Sequence, residues 1–261
     1  QTLTWAPLFT DRIYGRENEF QKCHEISEAA AHGMARIILT GGPPGSGKTS
    51  FITRLMEVTG RRTGLQGSSK DNRHGSNIPY SGIAGAFGRV IRQILTRGDR
   101  EIEMWREKFT KALGPNLPVI SEVIPEFEII TGPQQEQSCA GDIEARNRFI
   151  FSFRLFAQTL ALESGLLVLF LDDIQWSDRA GLDLVTSLVA DPDLKHVLII
   201  CAFRDNEISG NDALNLFLDE MKSRPDRADF IKSGGLPQET AAEMIEDILQ
   251  IRRGICPELC D

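Results

Sequence analysis

Short apolar runs alternate with amphipathic stretches along this 261-residue chain. Four runs have the character of strands, and they lie at 35–40, 166–171, 196–203 and, more weakly, 228–236. The two middle runs are continuously apolar, as is typical of parallel strands buried on both faces. The polar, turn-rich segment 64–80 allows one more short strand at its start.

Helical periodicity separates these runs. It predicts helices over segments that follow or precede each strand, namely 48–58, 81–95, 142–164, 179–191 and 237–251. Residues 114–141 carry four prolines and a glutamine-rich patch, which favour an irregular and partly exposed connection. Strands that alternate with helices indicate an α/β fold, a three-layer sandwich around a central parallel sheet.

Composition narrows the class of protein. Hydrophobic residues make up 41% and charged residues 25% of the chain, which is ordinary for a globular domain. The formal net charge of −8 argues against a surface that coats nucleic acid. Neither a run of about 20 apolar residues nor a signal peptide is present in the sequence, so we expect no membrane span.

The five cysteines are scattered, and only Cys256 and Cys260 lie close together. The sequence around this pair offers no further zinc ligands, so a metal role is not expected. This usage is typical of a reducing, cytoplasmic compartment. The chain begins with Gln1 instead of methionine and ends at Asp261 without evident closure, so we expect it to be a piece of a longer polypeptide.

A glycine-rich segment lies between the first predicted strand and helix. It satisfies the pattern G-x-x-x-x-G-K-[ST] with Gly42, Pro43, Pro44, Gly45, Ser46, Gly47, Lys48 and Thr49, and Ser50 follows. Backbone N–H groups of such a loop surround phosphate oxygens at the positive end of the helix. Lys48 then places a charge on the outer phosphates, and the Thr49 hydroxyl can ligate Mg²⁺.

Two adjacent aspartates end the apolar run at 166–171. Asp172 is placed to fix the metal of a Mg²⁺–triphosphate. Asp173 is expected to point to a different side of the chain, where it can orient or deprotonate the attacking water. The alternatives are a solvated strand end for Asp172 and a helix cap for Asp173.

Arg204 ends the apolar run at 196–203. Ligands of parallel sheets bind at the carboxyl ends of strands, so Arg204 can reach the terminal phosphate and act with Lys48 and Asp173 in catalysis. The alternative is a surface salt bridge with Asp205 or Glu207.

Two sequence patterns of GTPases bear on which nucleotide base the site binds. Residues 178–181 fit the pattern D-x-x-G of GTPases, but they follow the aspartate pair and lie at a predicted helix start. The pattern N-K-x-D, which reads guanine, does not occur. ATP is therefore favoured over GTP.

The motifs together resemble a known family. The stretches "YGRENEF" (14–20), "ILTGGPPGSGKTSF" (38–51), "LVLFLDDIQWSD" (167–178) and "IICAFRDNEI" (199–208) are similar to the AAA-type ATPase domain of STAND signal-transduction NTPases. "NIPYSGIAGAF", "ALGPN", "VIPEFEIITG" and "EARNRF" resemble the ATPase modules of large hybrid sensor kinases and serine/threonine kinases.

The resemblance implies roles for individual residues. It implies that the loop from Gly42 to Thr49 binds phosphate, Asp172 is associated with magnesium, and Asp173 activates water. Arg204 matches the family's sensor position. Tyr14, Gly15 and Arg16 match the segment near the adenine base, and Trp176 matches a family tryptophan for which simple packing is the alternative.

The resemblance also implies a division of the chain. Residues 1–33 form an N-terminal segment with the first helix, 34–236 the ATPase core, and 237–261 the start of a helical lid that is cut short. The family's polar loop usually reads G-K-F-D, whereas this chain has "GSSKDNRHG", so Lys70 and Asp71 match only loosely.

Three functions remain open at this stage. The first is a slow ATPase that acts as a regulatory switch in a larger signalling protein, by self-association or through effector domains such as a kinase. The second is a nucleic-acid-associated AAA ATPase of the initiator type, which the acidic charge disfavours. The third is a nucleotide-binding scaffold without hydrolysis. Arg146, Arg148 and Arg179 are candidates for an arginine given to a neighbouring copy's site.

Overall fold

The computed structural model describes residues 14–60, 64–71, 79–134 and 142–249. The strands are β1 (Arg36–Gly42), β2 (Leu65–Lys70), β3 (Leu167–Asp172), β4 (Val197–Arg204) and β5 (Ala228–Lys232). The helices are α1 (Glu17–His32), α2 (Lys48–Gly60), α3 (Ser81–Leu95), α4 (Asp99–Leu113), α5 (Leu117–Val123), α6 (Phe127–Thr131), α7 (Asp142–Ser164), α8 (Arg179–Ala190), α9 (Asp212–Lys222) and α10 (Gln238–Leu249).

The five strands form one sheet in the order β2-β3-β4-β1-β5. Every neighbouring pair is parallel. The carboxyl ends of all five strands therefore lie at the same edge of the sheet, which is where parallel α/β sheets bind ligands. β1, which leads into the glycine-rich loop, lies inside the sheet between β4 and β5.

Both faces of the sheet are buried, because successive strand residues enter opposite clusters. Ile38 and Val168 pack with α1 and α2 on one face. Ile37 and Leu167 pack on the other face with a larger cluster from α3 to α9. The predicted three-layer α/β sandwich with a central parallel sheet is confirmed.

The predicted irregular connection over 114–141 is wrong for its described part. This part contains α5 and α6, whose residues Leu117, Ile120, Phe127 and Ile130 are buried. Pro115 and Pro118 occupy the first turns of short helical segments, where the missing N–H costs no hydrogen bond. Residues 135–141, with most of the glutamine-rich patch, lie outside the described residues.

Other element bounds also differ from the prediction. β3 begins at Leu167 and includes Asp172, and β5 ends at Lys232. The sequence reading did not single out α4 or α9. In α4, Trp105, Phe109 and Leu113 are buried at a spacing of four residues, a pattern that predicts an amphipathic helix.

An aromatic cluster joins the helices on the larger face of the sheet. Phe127 of α6 lies with its ring centroid 4.9 Å from Phe109 of α4 and 5.3 Å from Phe156 of α7. Phe156 in turn lies 5.2 Å from Phe87 of α3. These rings fix α4, α6 and α7 to α3, which packs directly on β2.

The structure bears on two further expectations from the sequence. In the described part of the chain, none of the helices combines the length and apolarity that crossing a membrane requires. Cys23 and Cys201 are buried free thiols. Cys139 and the pair Cys256 and Cys260 lie outside the described residues.

The aromatic cluster predicts that α6 contributes to the stability of the fold, although its segment was predicted to be irregular. Phe127→Ala should lower the free energy of unfolding by about 3–5 kcal/mol, the usual cost of removing a fully buried phenylalanine. Phe151→Ala is the matched control because Phe151 is 43% exposed, and it should cost less than about 1 kcal/mol. Urea denaturation checks both values, and equal midpoints would contradict the packing of α6.

Candidate functional site

The glycine-rich loop connects β1 to α2 at the carboxyl edge of the sheet. Gly45 and Gly47 have φ of +76° and +78°, which glycine adopts without strain. Lys48 begins α2 and is almost fully buried, and its Nζ donates hydrogen bonds of 2.8 Å to the carbonyl oxygens of Gly42 and Pro43. Burial lowers the pKa of Lys48, although nearby carboxylates oppose that shift.

Close packing fixes the start of this loop. A Cβ added to Gly42 would lie 2.1 Å from the carbonyl oxygen of Ser233, which follows β5. Only glycine fits this approach of two backbone segments. The loop is therefore held by β5 on one side and continues into α2 on the other.

Thr49 and Asp172, the two predicted metal ligands, lie in contact. The Thr49 hydroxyl donates to Asp172 Oδ2 over 2.9 Å. Asp172 ends β3 and is 4% exposed. The described residues contain no group of three or more His, Cys, Asp or Glu that could hold a metal by themselves. One carboxylate and one hydroxyl fit Mg²⁺, which takes most of its ligands from water and substrate phosphates.

Asp173 has a left-handed backbone conformation with φ of 58° and ψ of 42°. Aspartate tolerates this region better than most residues, and such conformations cluster at functional sites. Asp173 was expected to point away from Asp172, but both carboxylates contact the same ammonium group, that of Lys70. The left-handed turn rotates the side chain back towards Asp172.

Three donors surround the buried Asp173 carboxylate. Oδ1 accepts from Gln175 Nε2 over 2.9 Å and from Arg204 Nε over 3.1 Å, and Lys70 Nζ lies 3.0 Å from Oδ2. Burial by itself raises the pKa of Asp173, but these hydrogen bonds outweigh it and hold the pKa below its ordinary value. Asp173 is therefore ionised at neutral pH.

Arg204 ends β4 and links two acids. Its Nη1 donates to Glu207 Oε1 over 3.2 Å, while Nε and Nη2 face Asp173. The salt bridge with Glu207 that was the alternative for Arg204 is present in the structure. Arg204 thus holds the carboxylate of Asp173 in the state described here, and the hydrogen bond to Asp173 raises the pKa of the guanidinium.

Lys70 is a member of the site that the sequence reading did not assign. It ends β2 in register with Asp172, and its Nζ lies 3.2 Å from Asp172 Oδ2 and 3.0 Å from Asp173 Oδ2. Besides the loose family match of Lys70, the available signal was a lysine that ends a predicted strand next to the strand of the two aspartates. That signal requires knowing that β2 pairs with β3.

The N-terminal segment around Arg16 contacts both the glycine-rich loop and the residues that follow β5. Arg16 is buried and donates to Ser46 O, to Ser233 Oγ over 2.5 Å and to Gly234 O over 2.9 Å. Burial lowers the pKa of Arg16. The Tyr14 hydroxyl donates to Asp247 Oδ2 of α10 over 2.8 Å, so the same segment also contacts the predicted lid helix.

Gly15 brings this segment close to α10. Its φ is +63°, and an added Cβ would lie 2.8 Å from Cγ2 of Thr240. A cavity of about 790 Å³ opens between the segment, the loop and α10. Its lining includes Tyr14, Arg16, the loop residues Gly45, Ser46, Gly47 and Thr49, Ser50, Phe51 and Met244. This volume is typical of small-molecule sites.

The D-x-x-G pattern at 178–181 is a helix cap. Asp178 Oδ1 accepts from the backbone N–H of Gly181 over 2.9 Å at the start of α8, and its Oδ2 accepts from Tyr80 N over 2.9 Å. Ser177 donates to the buried carboxylate of Asp71. Trp176 lies half-buried in a single 3₁₀ turn before this cap.

The three arginines considered for a neighbouring copy lie on α7 and α8. Arg146 is paired with Asp183 over 3.0 Å and is largely exposed. Arg148 donates to Asn116 Oδ1 over 3.0 Å, and Arg179 begins α8. Their role in a neighbouring site stays a prediction.

The strand, loop and helix around Lys48, inside a parallel sheet of this order, define a P-loop nucleoside-triphosphatase fold. A family model described as "AAA ATPase domain" matches residues 12–200. The chain belongs to this family.

Several known proteins are similar to the chain. The chain is 30% identical over 183 residues to hybrid signal transduction histidine kinase G of Dictyostelium discoideum, a match that covers 70% of this chain and 5% of that protein. The structure of Cdc6p from Pyrobaculum aerophilum is 16% identical, with a TM-score of 0.53, and covers 94% of this chain and 52% of that chain. This likeness shows the fold alone.

A Walker-type ATPase of Pyrococcus abyssi is also similar. It is 17% identical with a TM-score of 0.49, and the match covers 90% of this chain and 57% of that chain. The chain thus spans about half of each of these two solved chains and a small part of the kinase.

The hydrogen bonds of Arg16 link the N-terminal segment to the loop, and we expect this link to contribute to the free energy of unfolding. Arg16→Met removes a charged donor from three acceptors and should lower the free energy of unfolding by about 2–4 kcal/mol. Arg146→Met removes an exposed ion pair and should cost less than about 1 kcal/mol. Chemical denaturation of both variants gives the comparison, and an Arg16 variant as stable as the Arg146 variant would contradict this link.

Proposed function

We propose that the chain binds Mg²⁺–ATP at the loop from Gly42 to Thr49 and hydrolyses it slowly. The observation that carries this proposal is a hydrogen bond. Thr49, the last residue of the phosphate-binding loop, donates it to Asp172. Membership of the AAA ATPase domain family supports nucleotide binding. ATP is preferred to GTP because the chain has no N-K-x-D pattern.

Backbone N–H groups and Lys48 are the proposed phosphate ligands. The first backbone N–H groups of α2 form the positive end of this helix, where anions are stabilised. Lys48 lies at the same place, and its ammonium can exchange the carbonyls of Gly42 and Pro43 for phosphate oxygens. The cavity beside Tyr14, Arg16 and Met244 takes the base and ribose.

Thr49 and Asp172 would hold the magnesium ion. Bound there, the ion neutralises charge on the phosphates. Asp172 keeps its orientation because β3 ends at this residue and because its Oδ1 accepts from the backbone N–H of Asp173 over 3.0 Å.

Asp173 is proposed to orient or deprotonate the attacking water. Its lowered pKa keeps it ionised, so it accepts a hydrogen bond from water at neutral pH. Arg204 is proposed to release Asp173 in part and contact the terminal phosphate when nucleotide is bound.

We further propose that the domain is a regulatory switch of the STAND type within a larger signal-transduction protein. The similarity to a hybrid histidine kinase supports this, since that protein by name transmits signals. The contact of Tyr14 with Asp247 connects the base side of the cavity to α10, the proposed start of a lid. Self-association and an effector domain, such as a kinase, are the proposed partners.

The phosphate assignment predicts that Lys48→Ala weakens Mg²⁺–ATP binding at least about tenfold, because one charge-assisted hydrogen bond is worth about 1.5–3 kcal/mol. Lys22→Ala is the control, since Lys22 is exposed and lies on α1 away from the loop. Calorimetry with both purified variants measures the affinities. Wild-type affinity in the Lys48 variant would refute the site.

The division of labour between the aspartates predicts a different result for Asp173→Asn. Asparagine has the same size and also tolerates the left-handed conformation, so Mg²⁺–ATP affinity should change less than about threefold. Hydrolysis should slow at least about tenfold, the low side of a general-base effect. Single-turnover assays separate the two quantities, with Asp183→Asn, at a partly exposed position of α8, as the control. Loss of ATP binding would mean that both aspartates form one metal site.

A further inference from the structure

The ammonium group of Lys70 lies between the two aspartates of the site. Its Nζ is 3.2 Å from Asp172 Oδ2 and 3.0 Å from Asp173 Oδ2. Asp172 Oδ2 is the same oxygen that accepts from the Thr49 hydroxyl. The lysine therefore shares a carboxylate oxygen with the residue pair to which we assign the magnesium ion.

Two cations at one carboxylate oxygen repel each other. Like charges at close range repel each other even in bulk water, and more strongly where water is partly excluded. Asp172 and Asp173 are both buried, so screening by water is reduced at this point. A metal ion held by Asp172 would consequently weaken or displace the contact with Lys70.

We propose that Lys70 is an internal counter-ion that competes with Mg²⁺ for this pair of carboxylates. The inference rests on the proposed function, because it concerns the metal that accompanies ATP. In the state described here, Lys70 of β2 neutralises part of the negative charge of the two aspartates that follow β3. Without Lys70, that part of the buried charge would have no cation beside it. When the metal arrives, the ammonium leaves.

The surroundings of Lys70 leave room for its side chain to rotate away from the aspartates. Its side chain is 56% exposed, although both of its partners are buried. Beside it lies a cavity of about 460 Å³, lined by Lys70, Thr53, Glu57 and Arg89 and also by Thr49 and Asp172. The backbone of Lys70 stays fixed by its register with Asp172 in the sheet, so displacement requires only side-chain rotation.

Displacement would also change Asp173. Lys70 is its shorter contact at Oδ2, and the other is Arg204 Nη2 at 3.4 Å. Once the ammonium leaves, Oδ2 becomes available to a water molecule, while Oδ1 keeps its hydrogen bond from Gln175. Lys70 is thus a positioning residue that makes Asp173 available only when the metal is present.

The test measures metal binding separately from hydrolysis. Mn²⁺ replaces Mg²⁺, and its free concentration is followed by electron paramagnetic resonance, with Mn²⁺ alone and with a non-hydrolysable ATP analogue. Lys70→Met should lower the Mn²⁺ concentration for half-saturation by about threefold to tenfold, because a short-range competing charge is lost. Lys70→Arg keeps the charge and should stay within about twofold of wild type.

Lys222→Met is the matched control. Lys222 is also an exposed lysine with a carboxylate partner, Asp219 at 2.8 Å, but it lies on α9 away from the site. It should leave Mn²⁺ binding unchanged. A general effect of lost positive charge would instead appear in both methionine variants, and would overturn the proposal.

The outcomes separate the two proposals. If the wild-type chain binds the ATP analogue, but Lys70→Met leaves the Mn²⁺ requirement unchanged or raises it, the counter-ion role is refuted and the proposed function stands. If the wild-type chain binds neither the analogue nor Mn²⁺ with it, both proposals fall. Thermal unfolding of each variant verifies that the fold is retained.

Discussion

Two adjacent carboxylates at the end of a buried strand impose the main constraint on this site. Asp172 and Asp173 are only 4% and 6% exposed, and buried carboxylates are costly unless they are paired and hydrogen-bonded. Three of the side-chain donors that satisfy them come from distant parts of the chain, namely Thr49, Lys70 and Arg204, while Gln175 lies two residues after Asp173. The fold has to bring the distant donors to the pair, because buried carboxylates without partners would destabilise it.

The strand order meets this constraint. β3 lies between β2 and β4, so Lys70 and Arg204 flank the aspartates from the two neighbouring strands. β1 is the next strand along, and its loop brings Thr49 to Asp172 at the start of α2. Because all strands are parallel, every one of these residues lies at the carboxyl edge. A sheet in which β2 or β4 did not lie next to β3 would separate Lys70 or Arg204 from the pair.

The parts of the site that could be predicted from sequence are those carried by local patterns. The loop from Gly42 to Thr49 and the aspartates after an apolar run are each contiguous, so neither requires knowledge of strand pairing. Lys70 could not be assigned in this way, since its role depends on β2 lying next to β3. The left-handed conformation of Asp173 was also missed, because aspartate permits it without requiring it.

The fold was predictable to a similar degree, and for similar reasons. Alternating apolar runs and amphipathic helices give the α/β class directly. The segment 114–131 was misread because proline was taken as a sign of irregular structure, whereas Pro115 and Pro118 stand at helix starts. The buried Phe127 and Ile130 were the better guide, since apolar residues inside a polar segment need a core to pack against.

The cationic groups of the site are all satisfied by the protein itself in this state. Lys48 is bound by the carbonyls of Gly42 and Pro43, Lys70 by the aspartates, and Arg204 by Asp173 and Glu207. A ligand anion must therefore replace existing contacts, so its affinity reflects a difference between two sets of bonds. Under the proposed function, Lys48 and Arg204 would exchange their present partners for phosphate oxygens, and Lys70 would give up the aspartates to the metal. Two discrete and mutually exclusive arrangements of this kind are what a ligand-driven switch requires, because a ligand shifts an equilibrium only by its differential affinity for the two states.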